Sequence, residues 1–230
     1  MVNWLRLPRH WAVPVILCAL ALYVTATIRL TVEAAEHEVL EGDVAVTNTV
    51  QDVSAPGVIP VVEFLNWVGK PIPLAALTLI IAAGLFAVRR HAEALLILPT
   101  TATHAVNYVL KAAAESPRPT PDLVRVSDQA AGFGFPSGHT MATVVFCGVV
   151  LYLAWRLIEH RPLRIIVQAV SAFAIFGMGF SRIYSGAHWP SDVLGAYLWG
   201  TFYTLLLIFV FHRVRPVTQP TMAPARVRVR

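Results

Sequence analysis

The chain has little charge. Only 13% of its 230 residues are Asp, Glu, Lys or Arg, while 57% are hydrophobic, against a charged share of about 25% in soluble domains. That balance excludes an ordinary water-soluble domain and reads as a membrane protein. Cysteine is nearly absent too. Cys18 and Cys147 both lie inside apolar runs, where they read as packed thiols rather than a disulfide, so they say nothing of redox compartment. No small-residue cleavage site follows the first apolar run, which is also too long for a signal-peptide core; despite Arg6 and Arg9 ahead of it, the run reads as a retained helix. No internal repeat is visible. The net charge of +5 could suggest nucleic acid, but its distribution argues for membrane topology instead.

Long apolar stretches are what the sequence does have. Six runs, at approximately 11–32, 71–88, 92–112, 139–158, 163–181 and 192–212, are each long enough to cross a hydrocarbon core of about 30 Å. Pro99, His104 and Asn107 interrupt the third, and Pro99 predicts a kink. With the N-terminus cytoplasmic, twelve of the eighteen Lys and Arg residues fall on inside segments and eleven of the thirteen acids outside. This matches the positive-inside rule with both termini cytoplasmic. Trp4 and Trp11 sit where interfacial aromatics belong. Residues 33–55 are acidic, without periodicity, and read as an external loop. Residues 56–70 are short, apolar on one side and rich in interfacial residue types, as in a helix lying on the membrane surface. The Pro- and Arg-rich residues 215–230 read as a disordered cytoplasmic tail. The expected fold is therefore all-α: a membrane domain over 1–214 with six transmembrane helices in a bundle and one external interfacial helix.

Three polar clusters interrupt the apolar runs, and the topology puts all three on the outer face. Lys111 is followed by Arg118-Pro119; Pro136-Ser137-Gly138-His139 opens the fourth apolar run; and Ser181-Arg182 is followed by His188 and then Asp192. In this order and spacing they resemble the signature of the type 2 phosphatidic acid phosphatase superfamily, which includes bacterial undecaprenyl pyrophosphate phosphatases and vanadium haloperoxidases. The match spans 111–192, and the six-run layout is similar to the membrane branch.

The residues support a physical account beside that resemblance. Phosphoryl transfer spreads negative charge over three equatorial oxygens, so catalysis is mostly positioning and electrostatic stabilisation. Lys111, Arg118 and Arg182 supply cations. Ser137 can cap a helix whose first N–H groups stay free, and Gly138, without a Cβ, lets an anion approach the backbone. Asp192, four residues after His188, can accept one imidazole proton and leave the other ring nitrogen as nucleophile. His139, on another helix, can give the leaving oxygen a proton. The resemblance implies the same assignment, with a phosphohistidine at His188 that water hydrolyses.

A zinc site from His139, His188 and Asp192 is the competing chemistry, but three nearby cations would repel a divalent ion, so no metal and no cofactor are expected. For His104 and Asn107, one face from Lys111, interhelical hydrogen bonding is the plain alternative. Arg125 and Asp122 fit ordinary interfacial charges and are left outside the site. The expected activity is a metal-independent membrane phosphatase acting on a lipid phosphate or diphosphate at the outer leaflet of the cell membrane, with the bilayer and no nucleic acid as its surroundings. The leading substrates are a polyprenyl diphosphate, phosphatidic acid or phosphatidylglycerol phosphate. A lipid-linked phosphotransferase and a non-catalytic lipid-phosphate binder or transporter are the alternatives. Oligomeric state is not written in the sequence.

Overall fold

The apolar runs fold as helices, because lipid offers no partner to an open backbone N–H or C=O group. A computed structural model describes residues 9–36, 38–40 and 42–214, which contain helices and no strand. The expectations for Trp4 and for the tail at 215–230 lie outside the described residues.

The first helix, α1 (Arg9–Ala34), contributes an apolar stretch from Val13 onward of which almost none is buried. It touches the rest through the Tyr23 hydroxyl, which donates to the Leu198 carbonyl, and through the Trp199 indole N–H, which donates to Thr31 Oγ1 at 3.1 Å. Residues 33–55 are not simply a loop. They contain a short helix, α2 (Asp43–Gln51), entered through Gly42 at φ +92°. Its hold is tertiary rather than amphipathic. Asp43 accepts from the Ser191 backbone N–H at 2.9 Å and from the Ser191 hydroxyl at 2.6 Å. At the other end the Gln51 amide donates to the Arg125 carbonyl at 2.7 Å.

The segment expected at the membrane surface forms α3 (Val58–Val68), followed after a 69° bend by α4 (Pro71–Ala87). Pro71 and Pro73 explain the break, since a proline is tolerated in the first turn but cannot continue a helix through itself. The third run is divided as Pro99 foretold: α5 (His91–Ile97), a 3-10 turn at Leu98–Ala102, then α6 (Thr103–Ala114). The remaining runs become α7 (Gly138–Leu157), α8 (Arg161–Tyr184) and α9 (Pro190–Val214). Four helices (α1, α7, α8 and α9) are individually long and apolar enough to cross a bilayer, and five spans result if the bent α3–α4 pair counts as one.

At the centre of the bundle stands α7, packed against α8 and α9, with Met141, Ala142, Val145 and Val149 fully buried. Away from the polar end, Phe146, Leu153 and Phe211 form its apolar core with Leu96 and Ile97, and Arg156 pairs with the buried Glu93 at 3.6 Å. Because α6 to α9 alternate in direction, the C-terminal ends of α6 and α8 meet the N-terminal ends of α7 and α9. All three sequence clusters therefore arrive at one end of the bundle.

Candidate active site

His188 lies in the short link between α8 and α9, and Asp192 in the first turn of α9; both side chains are buried. His188 Nδ1 is 3.1 Å from Asp192 Oδ2, and Nε2 is 3.1 Å from an Arg118 terminal N–H. A guanidinium can only donate. Nε2 is therefore the acceptor, Nδ1 carries the proton, and the tautomer is set from both sides. Asp192 Oδ2 also accepts the Trp189 backbone N–H at 3.1 Å, which fixes the carboxylate against its own helix start. Burial, followed by the positive charges of Arg118, Lys111 and Arg182 and the ring of His139, holds the His188 imidazole well below its ordinary range. At neutral pH it is uncharged, with a lone pair on Nε2.

The cations converge from three elements. Lys111, in the last turn of α6, donates to the Phe133 carbonyl and to the Gly134 carbonyl at 2.8 Å. Arg118, in the following loop, donates to the carbonyls of Gly132 at 2.8 Å, Ala131 at 3.2 Å and Ala187 at 2.7 Å. Arg182, in the last turn of α8, is buried and bonded to Asp128 Oδ2 at 2.7 Å and Asn66 Oδ1 at 2.9 Å. The loop carrying these partners threads closely past the carboxylate. A Cβ on Gly134 would stand 2.9 Å from both Asp192 Oδ2 and the Pro117 carbonyl oxygen.

Ser137 occupies the N-cap position of α7, as expected, but its hydroxyl does not cap. Instead it accepts a hydrogen bond from Thr140 Oγ1 at 3.1 Å. The first-turn N–H groups thus keep the free valence that suits an anion. Gly138 also has a packing role. The place of its missing Cβ lies 2.9 Å from Asn107 Oδ1, so the absent side chain makes room for Asn107, whose amide donates to the Pro136 carbonyl at 3.0 Å. Asn107 thus ties α6 to the loop that enters α7, and its approach to α7 itself is to Met141 Sδ at 3.7 Å. His139 follows in the first turn, half-buried, on the side facing Gly69 and Met178.

The eight residues singled out in the sequence therefore lie at one end of the bundle, four of them (Lys111, Arg118, His188 and Asp192) joined directly or through the Gly132–Gly134 backbone. Sequence reasoning missed Asn66 and Asp128, which hold Arg182, and Asp43, which holds the start of α9. None stands at a telling distance from a motif. Among the described residues, no group of three or more histidine, cysteine or carboxylate side chains is placed to hold a metal ion.

Residues 92–216 match the PAP2 superfamily. The chain belongs to that superfamily. Over 188 residues it is 31% identical to phosphatidylglycerophosphatase B of Bacillus subtilis, covering 79% of this chain and 88% of the relative. A shorter stretch of 71 residues is 37% identical to a putative undecaprenyl-diphosphatase of Escherichia coli, covering 31% of each protein. The fold is similar to the crystal structure of a transmembrane PAP2-type phosphatidylglycerolphosphate phosphatase from Bacillus subtilis, with a TM-score of 0.71 at 23% identity over 84% of this chain and 98% of that one. The PAP2 protein described here is thus a membrane protein and a hydrolase of the phosphatase class.

Proposed function

We propose that this PAP2 phosphatase hydrolyses a lipid phosphate or diphosphate through a phosphohistidine on His188. The observation that carries the proposal is the orientation of that ring: Nδ1 held by Asp192, Nε2 turned toward Arg118. An anion that draws Arg118 to itself frees the Nε2 lone pair at the moment phosphorus arrives. Nε2 then attacks phosphorus, the bond from phosphorus to the leaving oxygen breaks, and that oxygen takes its electron pair together with a proton from His139. In the second step water attacks the phosphohistidine and gives a proton back to His139. The P–N bond breaks, and the lone pair returns to Nε2. Lys111, Arg118, Arg182 and the first-turn N–H groups around Ser137 and Gly138 stabilise charge on the equatorial oxygens. No metal takes part in either step.

A lipid substrate is supported by an apolar groove of about 830 Å³ between α3–α4 and α7–α8, lined by Trp67, Leu74, Phe146, Val170 and Met178. Its upper end is one turn of α8 from Arg182. The topology belongs to the same proposal: six crossings, with α5 and α6 forming one broken span, α3 at the interface, both termini cytoplasmic and the site at the outer leaflet of the cell membrane.

The test is phosphate release from labelled polyprenyl diphosphate, phosphatidic acid and phosphatidylglycerol phosphate by the purified full chain in detergent. Release that survives a chelator, is blocked by vanadate and is lost in His188→Ala is the expected result. Full release by His188→Ala would falsify the mechanism. Label found on a second lipid instead of in free phosphate would make the enzyme a transferase.

A further inference from the structure

Lys70 has no part in the site as described, although it stands beside it. The residue is exposed, and among the described residues no hydrogen bond or ion pair engages its ammonium. Its position is narrowly defined by its neighbour. A Cβ on Gly69 would stand 3.0 Å from His139 Cδ2 and 2.5 Å from Met178 Cε, so the backbone at 69–70 presses against both. Met178, Trp67 and Val68 line the head of the apolar groove. Lys70 also borders a second recess of about 550 Å³, shared with Asn66, Asp128, Arg125 and Glu63.

The other charges of that recess are largely committed. Asp128 is bonded to Arg182 at 2.7 Å. Arg125 donates to the Gln51 carbonyl at 3.0 Å and lies over the Tyr184 ring, 5.4 Å from its centroid. Glu63, on α3, is the exposed acid of the recess. Lys70 is then the cation still open to a ligand, at the point where His139, the recess and the groove meet.

On the phosphatase reading, a lipid phosphate bound between His188 and His139 leaves the site on the side where Gly69 meets His139 and Met178. With phosphorus at His188 Nε2 and the leaving oxygen at His139, that reading puts the atoms beyond the leaving oxygen next to the Gly69–Lys70 segment, between His139 and the Met178 end of the groove. In phosphatidic acid those atoms belong to an uncharged diacylglycerol. In a lipid diphosphate, or in a phosphatidyl lipid phosphorylated on its headgroup, they include a second, anionic phosphate.

We propose that Lys70 holds this second phosphate, so that among lipid phosphates the enzyme selects those whose leaving group itself retains a phosphate. This rests on the phosphatase reading given above. An ammonium is a compact charge with three donors and meets phosphate oxygens without a fixed geometry. It also opposes the charge that builds on a departing phosphate, so its effect enters the transition state as well as binding. Solvent screening at an exposed site keeps the effect at about tenfold, the lower part of the range for a hydrogen bond to a charged group.

The experiment measures kcat/KM for phosphate release by the full chain in detergent, with farnesyl diphosphate, phosphatidylglycerol phosphate and phosphatidic acid. Wild type, Lys70→Ala and Lys70→Arg are compared. The quantity read is each substrate's kcat/KM divided by that of phosphatidic acid. Lys70→Ala is expected to lower this ratio about tenfold for one or both phosphate-bearing leaving groups, and Lys70→Arg to recover most of it. A fall for one alone assigns the contact to that linkage, diphosphate or phosphodiester. Ratios within about twofold of wild type for both substrates, or an equal loss on all three, overturn the proposal. His188→Ala, run beside them, separates the two levels: if wild type releases no more phosphate than this variant from any substrate, the phosphatase reading itself is what failed.

Discussion

A histidine attacks phosphorus only while its ring is neutral, and His188 is kept neutral by burial and by the cations around it. The sign of the pH effect follows. Unfolded, the imidazole takes a proton below about 6.5; folded, it does not, so in that range the unfolded chain binds more protons. The contribution of this ring to stability is therefore complete above about pH 6.5 and declines as pH falls further, by at most about 1.4 kcal/mol per pH unit. Thermal unfolding between pH 7 and pH 5 should show a smaller loss of stability in His188→Gln than in wild type, and an identical loss in both would count against a buried neutral ring. Catalysis gives a second check on the same pair. Asp192→Asn removes the charge that orients Nδ1–H and is expected to lower kcat by about 10²- to 10⁴-fold, with the phosphoenzyme forming slowly in rapid-quench measurements. A variant with normal phosphoenzyme formation would mean that Asp192 only supports the start of α9.

At the level of elements, the site depends on short pieces that hold the ends of long ones. Arg182 reaches the proposed phosphate site from the last turn of α8, yet its guanidinium is braced by Asn66 from α3 and by Asp128 from the loop before α7. Asp128→Ala removes the charged brace at a half-exposed position. KM is expected to rise about tenfold, the cost of losing one hydrogen bond to a charged group, with a smaller change in kcat. Steady-state kinetics on one substrate would show it, and an unchanged KM would mean that Asn66 positions Arg182 alone. The braces mark the limit of what the sequence discloses. Lys111, Arg118, His139, His188 and Asp192 were legible because each stands at a fixed distance from another polar residue where apolar runs begin or end. Pro99 was legible because a ring without an N–H must break the run it enters. Asp43 was not. Its helix, α2, has no amphipathic period to read and exists through contacts with Ser191 and Arg125, more than 70 residues away along the chain. Ser137 was legible as a helix start, but the choice of its hydroxyl between the helix backbone and Thr140 depends on side-chain packing that spacing does not encode.

For the molecule as a whole, the alternation of α6 to α9 makes one end chemical and the other structural. The chemical end gathers Lys111, Arg118, Arg182 and the buried His188–Asp192 pair, while the opposite end is closed by Arg156 against Glu93 and by the turn at 158–160. The distribution of charge is what supports the orientation proposed above. Arg156, Arg161 and Arg164 cluster at the turn between α7 and α8, whereas the loop before α7 mixes Arg118 and Arg125 with Glu115, Asp122 and Asp128. The proposed topology follows the positive-inside rule, with the turn in the cytoplasm and the loop translocated. Two exposed positions report this directly, Gln129 beside the site and Glu159 in the turn. With Cys18 and Cys147 replaced by alanine, Gln129→Cys in intact cells is expected to react with a membrane-impermeant maleimide, and Glu159→Cys only after the membrane is opened. The reverse pattern would place the site in the cytoplasm, where its substrate would be a lipid phosphate of the inner leaflet. Labelling of both from outside would contradict the odd number of crossings that must separate the two ends of α7.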